Sequence, residues 1–324
     1  VLATGSRPRR PDVPGLEGLP YWTSDDVFRM QRLPRSLTIV GGGYIGCELA
    51  HFFAGVGVET ALVVRGDRLV AREDEDVQAV FQAGFTARIP VRLGSVVASV
   101  SHDGGGFRIR IRGREGEESE HRSEALLLAV GRVPNSDRIG LETTGLQREA
   151  RGFVPVDDRL RTSVPHIHAV GDINGRYMFT HSASFEAQYL GRQIAGKRDD
   201  PIDYGPVPHA IFTSPEIAGV GATGQQLREQ RVDHVSAAVG FDSATKGRAI
   251  KEEHGLCKLL LDRAGRILGC HIVGHQASVL LHEVLPVMKW RNHVGSLTGI
   301  IHVHPSLSEI VRGAARKAAA LIEP

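Results

Sequence analysis

The chain has 324 residues, 41% of them hydrophobic and 23% charged, with a formal net charge of +2 at pH 7. These values are typical of a soluble globular protein with room for about two or three domains. They give no reason to expect a membrane or a nucleic acid as partner, because no apolar run approaches the roughly 18 residues of a membrane span and the charges nearly balance.

Three cysteines, Cys47, Cys257 and Cys270, lie far apart and form neither a C-x-x-C motif nor a metal-ligand pattern. This usage favours a reducing cytoplasm, and we expect no metal site. Cys47 lies in a predicted helix, where we expect a packed thiol rather than a reactive one. The other two lie in strand-like runs and are predicted to be core residues.

The first residues, Val1 to Pro8, look like the end of a strand already in progress and lack an initiator Met. We therefore expect the sequence to be an N-terminally truncated part of a longer protein. Residues 9–36 begin rich in proline and glycine, which predicts a connection. Within it, Ser24-Asp25-Asp26 predicts the start of a short helix that extends through Arg32.

The apolar run Leu37–Val40 stops at closely spaced glycines and continues into a helical pattern. Gly41, Gly43 and Gly46 fit G-x-G-x-x-G, in which the first glycine makes the turn, the second admits a pyrophosphate and the third lets helix and strand pack. Val58–Val64 then predicts a second strand. This order predicts a Rossmann-like βαβ unit whose helix N-terminus binds phosphate, and the alternative is an incidental glycine turn.

The end of the second predicted strand indicates which nicotinamide nucleotide fits. An NAD site places an acid there for the ribose hydroxyls, whereas this sequence has Val64, Arg65 and Arg68. Two guanidinium groups favour a 2′-phosphate, and therefore NADP over NAD. Asp67 could still serve a ribose, so NAD stays open.

The acidic residues Glu73–Asp76 predict a solvated helix N-terminus, with the helix continuing through Val80 and Phe81. From Val91 to Glu120, short alternating runs predict antiparallel strands whose arginines face solvent. Residues 125–130 predict a buried strand.

A second buried strand is predicted at Ile167–Val170, and it ends in Gly171-Asp172. An acid at the carboxyl end of a strand can accept a ribose or ribityl hydroxyl, although a simple turn also uses Asp there. The next helix is predicted from Ser182 to Gly196, with an apolar series on one side: Ala183, Ala187, Leu190 and Ile194.

After a linker at 199–208, strands mixed with helices predict a separate α+β domain. Its last segment carries His304 ahead of a helix. Ser306 is predicted to N-cap that helix, with Glu309 three residues on as in a capping box. The alternative pairs Glu309 with His304 and orients the imidazole as a general base or acid.

Five motifs, taken in chain order, resemble one family. They are Ala3-Thr4-Gly5-Ser6-Arg7-Pro8, the glycine fingerprint followed by Glu48, Ala129-Val130-Gly131-Arg132-Val133-Pro134-Asn135, Ala169-Val170-Gly171-Asp172 and His304-Pro305-Ser306-Leu307-Ser308-Glu309. The family is the class I pyridine nucleotide-disulfide oxidoreductases, which includes dihydrolipoamide dehydrogenase, glutathione reductase and mycothione reductase. The resemblance covers the whole chain.

The resemblance implies an α/β fold in which Rossmann-like nucleotide-binding domains precede an α+β interface domain. Residues 1–21 and 134–204 would be the remainder of an FAD-binding domain, and residues 22–133 would be the NAD(P)-binding domain. Residues 205–324 would form the interface of a homodimer.

The resemblance also implies roles for residues around the two cofactors. Asp172 would hold the ribityl chain of the flavin, and the segment that contains Thr180 would bring backbone to the isoalloxazine ring. Tyr44 and Glu48 would lie beside the nicotinamide and the flavin. Further cofactor contacts are implied at three motif positions: Gly131, Arg132 and Gly171.

The implied activity passes a hydride between NAD(P)H and FAD and on to a redox disulfide or a small disulfide substrate. His304, oriented by Glu309, would reach the partner subunit's active site as its acid–base group.

The departure from the family is the absence of its first flavin fingerprint and its redox cysteine pair, which belong to an N-terminal segment missing from this sequence. As given, the chain is expected neither to bind FAD tightly nor to reduce a disulfide, whereas its parent would do both. The substrate stays open, because His302-Val303-His304-Pro305 is closer to the lipoamide branch and the arginines point to an NADPH enzyme. The alternatives are a soluble transhydrogenase or flavin oxidase of the same fold, and a non-catalytic nucleotide-binding dimerisation fragment.

Overall fold

A computed structural model describes residues 1–322, so the last two residues of the predicted interface domain lie outside it. The chain forms two compact units. Unit 1 joins Val1–Arg10 to Val130–Tyr204, and unit 2 joins Pro11–Ala129 to the chain from residue 205 onward. Within the described residues no helix is long and apolar enough to cross a membrane.

The strands, in chain order, are β1 (Ser6–Pro8), β2 (Ser36–Val40), β3 (Glu59–Val63), β4 (Val91–Arg92), β5 (Val96–His102), β6 (Phe107–Arg112), β7 (Glu118–Ser123), β8 (Ala125–Leu128), β9 (Arg132–Pro134), β10 (His209–Ile211), β11 (Ile217–Gly221), β12 (Val235–Gly240), β13 (Leu256–Leu261) and β14 (Ile267–Val273).

The α-helices are α1 (Ser24–Val27), α2 (Tyr44–Gly55), α3 (Glu75–Thr86), α4 (Thr180–Ile194), α5 (Gly224–Glu229), α6 (Thr245–Ala249), α7 (Ala277–Trp290), α8 (Gly295–Thr298) and α9 (Ser308–Ala319). Short 3₁₀ helices are formed by Asn135–Arg138, Leu141–Thr144, Gly171–Asn174 and Phe241–Ser243.

Unit 2 contains a parallel sheet with strand order β4-β3-β2-β8. Parallel strands buried on both faces read as continuous apolar runs, and all four residues of β8 are buried. Ile39 of β2 lies opposite Leu62 of β3 and Leu127 of β8, so the carboxyl ends of these strands lie side by side. The predicted βαβ unit and the buried strand at 125–130 are therefore confirmed.

A second sheet of unit 2, β5-β6-β7, is antiparallel. Phe107, Ile109 and Ile111 of β6 are buried while Arg110 and Arg112 are exposed, which confirms the predicted alternation. The prediction was wrong for its first residues. The short strand β4 continues the parallel sheet, because its backbone pairs with the end of β3 rather than with a hairpin partner.

The third sheet of unit 2 is antiparallel and has the order β10-β11-β14-β13-β12. Apolar side chains of the sheet pack against α7 and α9 in one core. Of its strands, β11 (sequence Ile-Ala-Gly-Val-Gly) was not predicted, because glycine and alanine carry little strand propensity. Its backbone is paired on both edges, by β10 and β14, and tertiary pairing overrides that local preference.

The predicted strand at Ile167–Val170 in unit 1 was wrong. Leu2 donates to the His168 carbonyl and accepts from the Val170 amide, which makes one isolated bridge to Ala169, and Arg161 makes a second isolated bridge to His168. An extended segment needs a run of neighbouring backbone to become a strand, and Leu2 supplies one residue.

Helix α4 of unit 1 buries only part of the predicted apolar series, since Leu190 is buried and Ala183 half-buried. Its buried residues are Ser182, Glu186, Tyr189 and Leu190. Of the predicted series, Ala187 is exposed and Ile194 is 64% exposed. The buried carboxylate of Glu186 accepts hydrogen bonds from nearby donors. A pattern of apolar residues cannot reveal such donors.

The first helix is shorter than predicted. Helix α1 ends at Val27 instead of Arg32, and its N-cap is Thr23. The carboxylate of Asp26 accepts from both the amide and the hydroxyl of Thr23, at 2.8 Å each. This local bond stabilises one turn, and without further packing a helix so short does not propagate.

Two of the four acidic residues at the start of α3 are buried, which contradicts the predicted solvated helix N-terminus at those positions, whereas Asp76 is exposed as predicted. Glu73 is 1% exposed and Asp74 is fully buried. Asp74 is the N-cap of α3, and its carboxylate accepts from the amide of Gly224 at 2.8 Å and from Nζ of Lys258 at 2.9 Å. Lys258 also donates to Asp76 at 2.6 Å. These donors come from residues about 150 to 180 positions away along the chain, so no local pattern could show them.

Removing the cation of this cluster should destabilise the protein. We expect Lys258→Met to lower the free energy of unfolding by roughly 3–5 kcal/mol, because it leaves the Asp74 carboxylate buried without its ammonium partner. The control is Arg263→Met, which breaks an exposed ion pair with Asp233 on the same domain and should change stability little. Urea unfolding of both variants measures the difference, and equal effects would contradict the prediction.

The same bond should make stability depend on pH. Burial opposes ionisation of Asp74, but hydrogen bonds from Lys258 and from the Gly224 amide outweigh it, and the pKa of Asp74 lies below its usual range. The folded state then holds fewer protons than the unfolded chain, so this contribution is present above pH of about 3.9 and is lost as the pH falls further. Urea titrations below pH 5 should show a shallower loss of stability in Lys258→Met than in the unchanged protein.

Candidate functional site

The glycine turn lies between β2 and α2 at the carboxyl edge of the parallel sheet. Gly41 has φ of 123°, a conformation that side chains rarely adopt. A Cβ on Gly46 would lie 2.1 Å from the carbonyl oxygen of Gly41, so helix and strand pack too closely for any side chain. A Cβ on Gly43 would meet no atom within 4 Å, which leaves open space in front of the turn.

The first turn of α2 supplies donors to that space. Gly43 is the N-cap, and the first intrahelical bond runs from the amide of Cys47 to the carbonyl of Gly43 at 3.0 Å. The amides of Tyr44, Ile45 and Gly46 therefore lack intrahelical acceptors, as at any helix N-terminus. Such amides together with the positive end of the helix dipole bind phosphate, so the turn fits the pyrophosphate of a dinucleotide.

The segment after β3 lies beside the turn. Val64 is buried, and its side chain occupies the place where a Cβ on Gly42 would project. Arg65 and Arg68 are both exposed, so a phosphate group of a ligand could reach their guanidinium groups. The structure adds Arg114, whose guanidinium lies 4.0 Å from the carboxylate of Asp67. The sequence could not identify Arg114, because it comes from the β6–β7 turn, far from Asp67 along the chain.

Tyr44 and Glu48 lie one helical turn apart on α2 and have different partners. Tyr44 donates from its hydroxyl to Oε1 of Glu73, and burial together with this carboxylate raises the pKa of Tyr44. Glu48 accepts from the amide of Phe212 at 2.9 Å. Burial raises the pKa of Glu48, and the Phe212 bond opposes that shift.

The residues predicted to bind flavin lie in unit 1. Asp172 accepts from the hydroxyl of Ser6 and lies 3.9 Å from Nε of Arg132, which in turn donates to Ser6 at 2.7 Å. Both contacts use Oδ2 of Asp172, so Oδ1 is the oxygen to which a ligand hydroxyl could donate. Gly131 and Gly171 have φ of 109° and 74°. These features fit a hydroxylated chain next to the carboxylate.

The helix that follows this site begins at Thr180, which is exposed. Sequence reasoning missed Glu186 on the same helix. Its fully buried carboxylate accepts from the amide of Gly171 at 2.6 Å, from the side-chain amide of Asn174 at 2.9 Å and from the hydroxyl of Tyr204 at 2.6 Å. Glu186 thereby fixes the turn that carries Asp172, and the signal available in the sequence was only a carboxylate on a helix face.

His304 and Glu309 are paired. Nδ1 of His304 lies 3.1 Å and 3.0 Å from the two carboxylate oxygens of Glu309. The hydrogen bond from His304 and a second from the amide of Ser306 hold the pKa of Glu309 below its usual range. Nε2 of the exposed imidazole points away from this pair, which is the arrangement of an oriented acid–base group.

Ser306 does not N-cap the last helix, so that part of the capping prediction was wrong. The helix begins at Ser308 with Leu307 as N-cap, and the hydroxyl of Ser306 donates to the carbonyl of Val303 at 2.7 Å. Glu309 nevertheless accepts from the Ser306 amide at 3.2 Å. One carboxylate therefore holds both the backbone before the helix and the imidazole of His304.

All three cysteines are free and buried. Burial raises the pKa of the Cys47 thiol to about 12, and this thiol donates to the carbonyl of Gly42. Cys257 and Cys270 lie in the core of the five-stranded sheet, as predicted. None of the three is placed to react with a soluble disulfide. Among residues 1–322, no cluster of three or more His, Cys, Asp or Glu side chains could hold a metal ion.

A parallel sheet whose glycine turn presents a helix N-terminus defines a dinucleotide-binding protein. Residues 1–187 match the family model described as pyridine nucleotide-disulphide oxidoreductase, and residues 207–315 match the dimerisation domain of the same group. The chain belongs to the pyridine nucleotide-disulphide oxidoreductase family, and the resemblance that its motifs suggested is confirmed.

Curated relatives carry the name dihydrolipoyl dehydrogenase. The protein from Chlamydia muridarum is 33% identical over 314 residues, which cover 96% of this chain and 66% of that protein. The protein from Haloferax volcanii is 35% identical over 327 residues, which cover 98% of this chain and 67% of that protein. The chain thus spans about two thirds of the length of these relatives.

Solved structures with the same fold include LpdA from Mycobacterium tuberculosis, with a TM-score of 0.86, 27% identity and coverage of 97% of this chain and 68% of that one. The HOCl-induced flavoprotein disulfide reductase RclA from Escherichia coli has a TM-score of 0.87, 26% identity and coverage of 99% and 72%.

Two glycines of the turn should respond differently to substitution. Gly46→Ala should lower the free energy of unfolding by about 1–3 kcal/mol, because its methyl group would overlap the carbonyl of Gly41. Gly43→Ser should leave stability nearly unchanged, because Ser is a favoured N-cap and has space there, but its side chain should block the pyrophosphate. Thermal unfolding and calorimetric titration with NADPH separate the two effects. Full NADPH binding by Gly43→Ser would contradict the assignment.

Proposed function

We propose that the chain works as part of an FAD-containing, NAD(P)H-dependent disulfide oxidoreductase, similar in reaction to dihydrolipoamide dehydrogenase. The observation that carries the proposal is the glycine turn, where Gly43 leaves open space in front of unpaired helix amides. When bound, FAD supplies a two-electron carrier between the nicotinamide and a disulfide. The residues of this chain bind, orient and handle protons around that exchange.

The nucleotide side of the proposal favours NADP over NAD. The amides at the start of α2 would hold the pyrophosphate, and the exposed Arg65 and Arg68 would pair with a 2′-phosphate. Asp67, the acid in this segment that could take ribose hydroxyls, lies beside the guanidinium of Arg114. Because of that pair, the carboxylate of Asp67 is less available to accept hydrogen bonds from the ribose hydroxyls of NAD.

On the flavin side, Asp172 would accept a ribityl hydroxyl at Oδ1 while Arg132 and Ser6 hold its other oxygen. The positive φ of Gly131 and of Gly171 would let backbone approach the cofactor closely. The exposed start of α4 at Thr180 would face the isoalloxazine ring.

The acid–base role falls to His304, which would accept and return a proton at Nε2 while Glu309 holds Nδ1. Glu48, beside Tyr44 on α2, would lie near the nicotinamide and flavin, and its raised pKa suits a site from which water is excluded. The match to a dimerisation domain supports a homodimer through residues 205–324, in which His304 serves the partner's site. The substrate class is a small disulfide or dithiol.

The proposal also assigns residues 1–21 and 134–204 to the FAD-binding domain, 22–133 to the NAD(P)-binding domain and 205–324 to the interface domain. Three unpaired thiols fit a reducing compartment, and we place the protein in the cytoplasm.

A second candidate function needs no dithiol, and none of the three buried cysteines of this chain supplies one. A transhydrogenase or flavin oxidase of the same fold uses the nucleotide and flavin sites without a dithiol in this chain. Oxidation of NADPH by oxygen or by NAD, with no dependence on a disulfide, would support that candidate over the first.

Titration with the two nucleotides tests the proposed site directly. We expect the purified 324-residue protein to bind NADPH about 10 to 100 times more tightly than NADH, the range given by hydrogen bonds to a charged phosphate. Replacing Arg65 and Arg68 together by Ala should remove most of this preference. The matched control is Arg110→Ala, which removes an exposed arginine from β6 and should change neither affinity. Tighter binding of NADH by the unchanged protein would overturn the NADP assignment.

A further inference from the structure

A buried carboxylate next to the nucleotide turn has no role in the reaction derived above. Glu73 is 1% exposed, and both of its oxygens have partners. Oε1 accepts from the hydroxyl of Tyr44, and Oε2 lies 2.9 Å from Nε2 of His209. Because a carboxylate only accepts, His209 carries its proton on Nε2 in this bond. Glu73 therefore connects the first residue of α2 to the first residue of β10.

The backbone of Glu73 is fixed against the glycine turn. Its carbonyl accepts from the side-chain amides of Gln78 at 2.6 Å and Gln225 at 2.7 Å. Its amide donates to the carbonyl of Val70, whose own amide donates to the carbonyl of Gly42 at 2.8 Å. Val70 has φ of 44°, which is costly for a β-branched residue and persists only where the surroundings enforce it. The segment that carries Glu73 is thus held in one position relative to the turn.

His209 is fixed from the other side by the five-stranded sheet. Lys258, His271, Gly219 and His209 follow one another in cross-strand register. A Cβ on Gly219 would lie 2.7 Å from Cε1 of His209, so the imidazole lies directly against the backbone of β11. The rings of His209 and Tyr44 are nearly parallel, with an angle of 14° and centroids 6.0 Å apart.

We propose that Glu73 is a positioning residue of the nucleotide site, which holds the ring of Tyr44 beside the nicotinamide while His209 holds the second oxygen of Glu73. The inference rests on the proposed function, since it assumes that a nicotinamide nucleotide occupies the turn. A tyrosine fixed before binding does not lose side-chain freedom on binding, so its contacts contribute fully to affinity.

The test is a double-mutant cycle on NADPH affinity, measured by calorimetric titration of the purified protein. Tyr44→Phe removes the hydroxyl and keeps the ring, and Glu73→Ala removes the acceptor. Each should weaken NADPH binding about threefold to tenfold, which corresponds to the entropic cost of immobilising one side chain on binding. Because both changes break the same bond, the NADPH affinity of the double variant should be no lower than that of the single variant with the lower affinity. Glu73→Gln keeps an acceptor and should restore most of the affinity.

The matched control is Glu75→Ala. Glu75 lies two residues further on and donates its amide to Gln225 while its carboxylate accepts from Arg228, so it joins α3 to α5 without contacting Tyr44. Its NADPH affinity should equal that of the unchanged protein. Thermal unfolding of all variants shows whether each is folded at the titration temperature, and Tyr44→Phe provides the test if Glu73→Ala is not.

Three results would count against the inference. Unchanged affinity in Tyr44→Phe, or additive losses in the double variant, would show that Glu73 does not act through the Tyr44 hydroxyl. An equal loss in Glu75→Ala would show a general effect of the junction. Failure of the unchanged protein to bind either nucleotide would overturn the proposed function and this inference with it.

Discussion

The structure of unit 2 depends on the buried contact between Asp74 and Lys258. Removing a carboxylate and an ammonium from water costs several kcal/mol for each ion, and a 2.9 Å bond alone does not guarantee a net gain. Here the remaining lone pairs are used as well, because Asp74 also accepts from the amides of Gly224 and Asp76. A buried pair with these additional bonds favours one arrangement of α3 against the five-stranded sheet, since a shifted arrangement would leave a charge buried without a partner.

That constraint reaches the nucleotide turn through the residues that precede α3. Once Asp74 is fixed, Glu73 has little freedom, and the strained Val70 lies close enough to bond the backbone of Gly42. The glycine turn is therefore supported from outside its own βαβ unit. The proposed binding of a pyrophosphate at this turn gains from such support, because amides that stay in place need not be ordered when the ligand arrives.

Local patterns predicted the elements whose signals are complete within a short window. The glycine spacing identified the turn at Gly41, Gly43 and Gly46, and the alternation at 107–112 identified a half-exposed strand. The pairing of His304 with Glu309 was also accessible, because the two residues are only five positions apart. The Glu309 half of the predicted capping box proved compatible with the pairing, since one carboxylate has enough lone pairs for the Ser306 amide and the imidazole.

By itself, the sequence determined the family, the order of the elements and the chemistry available at the turn, because steric demands on glycine and the periodicity of apolar residues are local properties. Only the tertiary structure decided which charges are buried. The sequence pattern predicted that Glu73 and Asp74 form the solvated acidic start of a helix. Both are buried, because their carboxylates bond donors that are distant in sequence, on His209, Gly224 and Lys258. The physical reason is that the cost of burying a carboxylate depends on its partners in space, and spacing along the chain does not encode them.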